Sequence, residues 1–178
     1  ASLCVLYYLD ARNVRETGIQ VMAADKFYKN KPRNLKRIES ERVWSYEVSD
    51  HYSGAVRVNY VLGAESAINL ADSFIIFTQQ VGGEPFYGVP FILMMDMGSA
   101  NTAGSFKSLA RRLDVRLEAH MPGNARATGQ VENARNIIER SFESGLRLQP
   151  VGNLDELNAA AQRWARWYNG TKIHSRTK

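Results

Sequence analysis

At 178 residues the chain is the size of one domain and long enough to bury a sizeable core. Hydrophobic content of 44% beside 23% charged residues is that of a globular protein and sets aside a disordered tail. No apolar run approaches the roughly 20 residues of a membrane span, and no basic-then-apolar leader opens the sequence. The single cysteine, Cys4, leaves no disulfide within the chain, which suits a reducing cytoplasm. A net charge of +5 fits a polyanionic partner without demanding one.

Ala1 to Leu9 is apolar and aromatic and predicts a strand. It starts without a cap or turn, as if inside an element. Residues 11–42 differ in character: Lys26, Lys29, Lys31, Arg33, Lys36, Arg37 and Arg42 crowd together, with Phe27 and Tyr28 among them and Pro32 interrupting. Two readings are open. One is a basic arm that lays Lys29, Lys31, Lys36 and Arg37 along DNA phosphates, with aromatics to stack on bases. The other is a solvated insertion between two strands.

Val43 to Ser49 alternates apolar and polar side chains, as does Ala55 to Leu62, and Asp50 to Gly54 is a turn between them. This predicts an antiparallel hairpin of half-buried strands. Asp50 reads as an acceptor for nearby backbone amides, and His51 as a turn residue. Ser66 caps a helix over 67–80, with Leu70, Phe74 and Phe77 facing the sheet. Gly82, Gly83, Pro85 and Gly88 make 81–89 a loop. It lacks the Lys-Ser/Thr ending of a phosphate-binding P-loop.

Phe91-Ile-Leu-Met-Met-Asp96 predicts a buried strand with Asp96 at its carboxyl end, where open α/β sheets place their chemistry. Gly98 permits a tight turn after it, and Asn101 is placed to orient Asp96 or to bond a phosphate. Thr102 caps the next helix, whose stripe is Phe106, Leu109, Ala110 and Leu113. A short strand spans 115–119. The loop 120–128, with Arg126 in it, is free to close on a substrate. A helix from Gly129 to Leu146 buries Val131, Ala134, Ile138 and Phe142, and sets Glu132, Arg135, Asn136, Glu139 and Glu143 on its polar side. Glu132 then lies in the first turn, beside the positive end of the helix dipole. Arg135 either holds a phosphate or pairs with Glu132 or Glu139. Asn153 to Glu156 is a capping box. It opens a helix with Leu154, Leu157, Ala161, Trp164 and Tyr168 on one stripe, the two aromatics packing rather than stacking on bases.

The strand ending in Asp96-x-Gly98-x-x-Asn101, the 35 intervening residues, and Gly129-x-Val131-Glu132 opening a helix carry a resemblance. Together they are similar to the catalytic core of integrases and transposases, the Asp-Asp-35-Glu enzymes of retroviruses and bacterial insertion sequences. Glu41-Arg-Val-Trp44 through Gly54 resembles the family's second strand and turn. Trp164 through Asn169 and on to His174 resembles its C-terminal helix. The resemblance spans 41–175 and leaves 11–40 unmatched. Ala125 stands where members often have Pro, and Lys172 where Arg is common.

The resemblance implies an α/β, ribonuclease-H-like fold: a mixed five-stranded sheet, its first three strands antiparallel, with helices on both faces. The whole of 1–178 would be one core domain, with 11–42 a basic insertion. It also implies a metal-dependent polynucleotidyl transferase that cuts and joins DNA ends. In-line displacement at phosphorus calls for two cations roughly 4 Å apart, and Mg2+ or Mn2+ takes carboxylate oxygens. Asp96 and Glu132 would be catalytic residues and metal ligands. Asn101, Arg126, Arg135, Lys29, Lys31, Lys36 and Arg37 would contact DNA. The partners would be mobile-element and target DNA and further copies of the chain, in a bacterial cytoplasm, at the nucleoid when DNA is bound. The family's first catalytic Asp lies on the first strand. No Asp precedes Asp10 here, so the resemblance puts that Asp just before Ala1, with Asp10 as the alternative. Two rivals stay open: a nuclease of the same fold, of RNase H or resolvase type, and a non-catalytic DNA-binding module.

Overall fold

The apolar run that opens the chain forms the middle of the sheet. A computed structural model describes residues 2–10, 20–21, 42–63, 66–95, 104–119 and 125–172; at 2–10, 20–21, 42, 119 and 125–132 it describes the backbone alone. β1 (Ser2–Asp10) pairs antiparallel with the short β2 (Gln20–Val21) at its far end, through Leu9↔Val21 and Asp10↔Gln20. Along its length β1 pairs antiparallel with β3 (Arg42–Ser49), and β3 with β4 (Val56–Leu62). On its other side β5 (Ile92–Met95) runs parallel to β1, with Ser2↔Met94 and Leu3↔Met95. β6 (Arg116–Ala119) runs parallel to β5. The order β4-β3-β1-β5-β6 with β2 on β1 makes six strands, where five were expected. The extra strand falls in the stretch read as an insertion.

β3 and β4 show why both faces of this sheet are covered. Tyr46 and Val48 point into one core, with Leu93 and Met95 of β5. Val43 of β3 and Val58 and Tyr60 of β4 point into the other. The alternation predicted half-buried strands with polar residues in water. Instead Ser45, Glu47, Ser49, Arg57 and Asn59 are all buried. Helices lie on both sides, so every polar position needs a partner.

The first face is sealed by α1 (Ala67–Thr78) and α2 (Gly104–Arg112). Ser66 Oγ accepts the Asn69 N–H, which starts α1 as its sequence predicts. Leu70, Phe74 and Phe77 of α1 and Phe106 and Ala110 of α2 fill this core. Phe74 and Phe106 meet edge to face at 5.7 Å, an arrangement that adds roughly 1 kcal/mol beyond burial. Arg57 reaches through from β4 and donates to Phe77 O at 2.8 Å and Gln79 O at 3.1 Å. It thus satisfies carbonyls left open at the C-terminal end of α1, the end that favours a cation.

The second face is sealed by α3 (Ala125–Ser141) and α4 (Leu154–Thr171), with a 3₁₀ turn over Glu143–Arg147 between them. The predicted helix 129–146 is therefore two pieces. α4 opens on the predicted Asn153 cap, whose Oδ1 accepts the Glu156 N–H at 2.9 Å, but the return bond of the box is shifted by one residue: Glu156 Oε2 accepts the N–H of Gly152, before the cap, at 2.7 Å. Two asparagines of α4 grip β4. Asn158 Oδ1 accepts the Tyr60 N–H and its Nδ2 donates to Tyr60 O, each at 2.8 Å. Asn169 does the same with Val56, each bond at 2.9 Å.

Candidate functional site

β5 delivers the first motif. Leu93 and Met95 are buried, as the apolar run predicts, but Phe91 is not part of the strand and is 90% exposed. Asp96, the next residue after Met95, lies outside the described residues, as do Gly98 and Asn101. Lys29, Lys31, Lys36 and Arg37 lie outside them too. The register of β1 bears on the alternative carboxylate, Asp10. Met95 pairs with Leu3, and Asp10 is seven residues farther along β1. At about 3.3 Å per residue that is roughly 23 Å beyond the end of β5, far outside the span of two ions.

α3 delivers the second motif and corrects its reading in three ways. It begins at Ala125, not at Gly129. A single glycine inside a helix costs only about 1 kcal/mol, and the residues around it favour helix. Arg126 therefore sits on the first turn of α3 rather than in a loop. Glu132 lies two turns in, beyond the reach of the helix dipole's positive end. The third correction is Arg135. Its assignment to DNA, or to a surface pair with Glu132 or Glu139, does not stand, because it is 4% exposed and bonded on the sheet side. Its Nη1 donates to Glu47 Oε1 at 2.9 Å and to Glu143 Oε1 at 2.8 Å, while Nη2 donates to Glu143 Oε2 at 2.8 Å. The reason is angular. Arg135 lies three residues, about 60° around the helix, from the buried Ile138. Its long side chain reaches the sheet from the margin of the apolar stripe.

The cluster extends on both sides. Tyr60 donates to Glu143 Oε1 at 2.8 Å, and Ser45 Oγ donates to Glu47 Oε1 at 3.1 Å. One arginine thus faces two buried carboxylates, 1% and 2% exposed. Burial pushes the Glu47 carboxyl up to about 7, against the pull of Arg135. Burial would draw the Arg135 guanidinium down, but its bonds to Glu143 and Glu47 raise it. Burial and the same carboxylates hold the Tyr60 hydroxyl well above its ordinary range, so it stays a donor. The three charges act as one unit. Glu143 takes the forked guanidinium and the Tyr60 hydroxyl, while Glu47 takes one bond from Arg135 and one from Ser45. Sequence reasoning missed Glu47, Tyr60 and Glu143. The signal was slight: Glu47 is the lone acid in the alternating strand Val43 to Ser49.

Asp50 serves the turn, as expected. Its Oδ2 accepts the Ser53 N–H and hydroxyl, both at 2.7 Å. Partial burial alone would raise its carboxyl, but these bonds outweigh burial and hold it low. Trp164 and Tyr168 stack on each other at 5.4 Å, and Trp164 meets Phe142 at 5.7 Å. Both aromatics pack, as their stripe predicts. A groove of about 450 Å³ runs between α3 and α4, lined by Asn133, Asn136, Arg140, Trp167 and Lys172. It lies on the solvent side of the helix that carries Glu132. Among the described residues no three His, Cys, Asp or Glu side chains converge as a metal site, and no helix is long and apolar enough to cross a membrane.

No protein-family model and no curated protein matches the chain. Solved structures do. A chain in a cryo-EM structure of the simian T-cell lymphotropic virus intasome, in complex with the PP2A regulatory subunit B56 gamma, aligns with a TM-score of 0.60 at 19% identity, over 75% of this chain. This chain spans 45% of that one. The HTLV-2 integrase catalytic core domain, in complex with magnesium in a dimeric form, aligns with a TM-score of 0.56 at 19% identity, over 75% of this chain and 79% of that one. The BIV integrase catalytic core domain gives 0.54 at 19%, over 75% and 78%. The chain therefore has the α/β, ribonuclease-H-like fold of retroviral integrase catalytic cores.

Proposed function

We propose that this chain is the catalytic core of a polynucleotidyl transferase that cuts and joins DNA ends, as an integrase or transposase does. The observation that supports the reading is that the strand running toward Asp96 and the helix bearing Glu132 belong to one sheet-and-helix layer. β5, whose last residue precedes Asp96, runs parallel to the central strand, and α3, which bears Glu132, lies against β1 and β3. Asp96 and Glu132 are then the catalytic carboxylates. As hard oxygen donors they fit Mg2+ or Mn2+, and two such ions in a complete site would neutralise charge developing on the phosphate. The HTLV-2 core contains magnesium and is dimeric; the same ion and self-association are proposed here.

The chain's own residues hold and align the DNA. Lys29, Lys31, Lys36 and Arg37 contribute phosphate contacts. Arg126, on the first turn of α3, and Asn101 contact phosphates near the reacting bond. The groove with Arg140, Lys172, Asn136 and the exposed Trp167 offers cations and a stacking surface to a strand leaving the site. The register of β1 speaks against Asp10 as a third carboxylate.

The test is a DNA cleavage and strand-transfer assay in Mg2+ on the chain joined to a segment that supplies the third carboxylate, with DNA binding measured alongside; the 178 residues alone should transfer little or nothing. Asp96→Asn and Glu132→Gln should each abolish product while leaving DNA affinity within about twofold, because Lys and Arg make the phosphate contacts. Full activity in Glu132→Gln would overturn the assignment. Hydrolysis without joining would make the chain a nuclease.

A further inference from the structure

A buried ion cluster is a weak way to stabilise a protein. Taking charges out of water costs about as much as their pairing returns, and apolar replacements are often no less stable. Its position is therefore the informative fact. Arg135 lies one turn from Glu132 on α3, about 4.5 Å along the axis. It joins three parts of the chain at once: α3 itself, β3 through Glu47, and the 3₁₀ turn through Glu143. Glu47 is the register partner of Cys4 on β1, the central strand beside β5. Next to Arg135, the small Ala134 is buried and lets the helix backbone sit close to the sheet.

We infer that Arg135 is a positioning residue: by bonding Glu47 and Glu143 together it fixes the height and rotation of α3 over β3, and so the place of the Glu132 carboxylate relative to the sheet. This rests on the proposed catalytic role of Glu132. Apolar contacts alone do not set a helix so finely. The contacts of Ile138 and Phe142 are apolar and non-directional. A guanidinium fork is directional, because its two parallel bonds to Glu143 and the third to Glu47 hold in one geometry. The buried hydroxyls of Tyr60 and Ser45 fix the two carboxylates in turn. Groups that orient a metal ligand from behind change metal affinity or activity by about 10- to 100-fold when lost.

The experiment compares wild type with Glu47→Leu and Glu47→Gln in the chain joined to the segment that supplies the third carboxylate, reading bound Mn2+ by electron paramagnetic resonance, turnover on DNA ends, and DNA affinity. Glu47→Leu removes the tie to β3 but leaves Arg135 and Glu143 as a neutral pair, so the fold is retained. It should weaken Mn2+ binding about 10-fold and lower kcat about 10-fold or more, with KM for DNA unchanged. Glu47→Gln should restore both, since its amide oxygen accepts the same bond from Arg135. If Glu47→Leu does not fold, Arg135→Lys is read in the same way, because an ammonium keeps the charge but not the fork. A folded loss variant with wild-type Mn2+ affinity and kcat overturns the positioning role. With the third carboxylate supplied, an otherwise wild-type protein that neither binds Mn2+ nor processes DNA overturns the catalytic reading instead.

Discussion

Toward α1 and α2, β3 turns Tyr46 and Val48 into a core of Leu70, Phe74, Leu93 and Phe106. Toward α3 and α4 the same strand turns Ser45 and Glu47 into a core where Arg135 and Glu143 sit among Val58, Ile138, Phe142 and Leu157. Both faces exclude water. The first is held mostly by area and shape, with Arg57 tied to the carbonyls at the end of α1 and Asn59 to Ser73. The second adds directional bonds that break together if α3 moves. The difference teaches that burial seals both faces, while the cluster of one arginine between two buried carboxylates lies on the face whose helix carries a candidate catalytic residue.

The largest test of that contrast is Arg135→Ala. It should cost about 4 kcal/mol in chemical denaturation, because two buried carboxylates lose their partner. Leu70→Ala on the apolar face should cost about 3 kcal/mol through its cavity. The two respond differently to repair. Adding Glu47→Leu and Glu143→Leu to Arg135→Met should return most of the stability on the charged face. No such return would mean that the ionic bonds themselves hold the fold.

Acid sharpens the comparison next. The Glu47 carboxyl titrates near 4.5 when unfolded and near 7 when folded. It is faced by Arg135, Glu143, Tyr60 and Ser45. The folded chain thus binds the extra proton between these values. The stability this contributes is fully present below about pH 4.5 and is lost as the pH rises through about 7. Between these limits wild type should lose about 3 kcal/mol relative to Glu47→Gln, in unfolding curves taken at each pH. Parallel curves would place the proton elsewhere. Two smaller effects lie away from the cluster. Asn169→Ala should cost about 2 kcal/mol, since it leaves the Val56 N–H and C=O without their partner. Asn153→Ala should cost about 1 kcal/mol through the lost cap on α4. A shift in melting temperature as large for Asn153→Ala as for Arg135→Ala would erase the contrast.

What could be read in the sequence was local. The Ser66 cap, the Asp50 turn and the Asn153 to Glu156 box each close within four residues, so their spacing carries them. Element edges were less legible. A continuous apolar run does not say where a strand starts, and Phe91 proved exposed. Gly129 resembled a boundary and is a helix interior. Long-range pairing was not legible at all: the Arg135 bond to Glu47 spans 88 residues. Helical spacing alone put Arg135 and Glu143 in water. Of the candidate site, the strand and helix that bring in the two motifs were legible. The Asp96 carboxylate and the basic stretch lie outside the described residues.

The asparagines of α4 have a consequence for how this protein meets other chains. β4 is an end strand of the sheet, and an end strand normally offers a row of open amides and carbonyls to any extended peptide. Here Asn158 and Asn169, eleven residues apart on one face of a helix, answer that row at Tyr60 and Val56 with their own amides. Each mimics one residue of a neighbouring strand. An incoming peptide would have to evict both, giving up four hydrogen bonds worth roughly 1 kcal/mol each, before gaining its first. Recruitment of a partner by strand addition, and runaway edge-to-edge stacking of copies, are both blocked along this border.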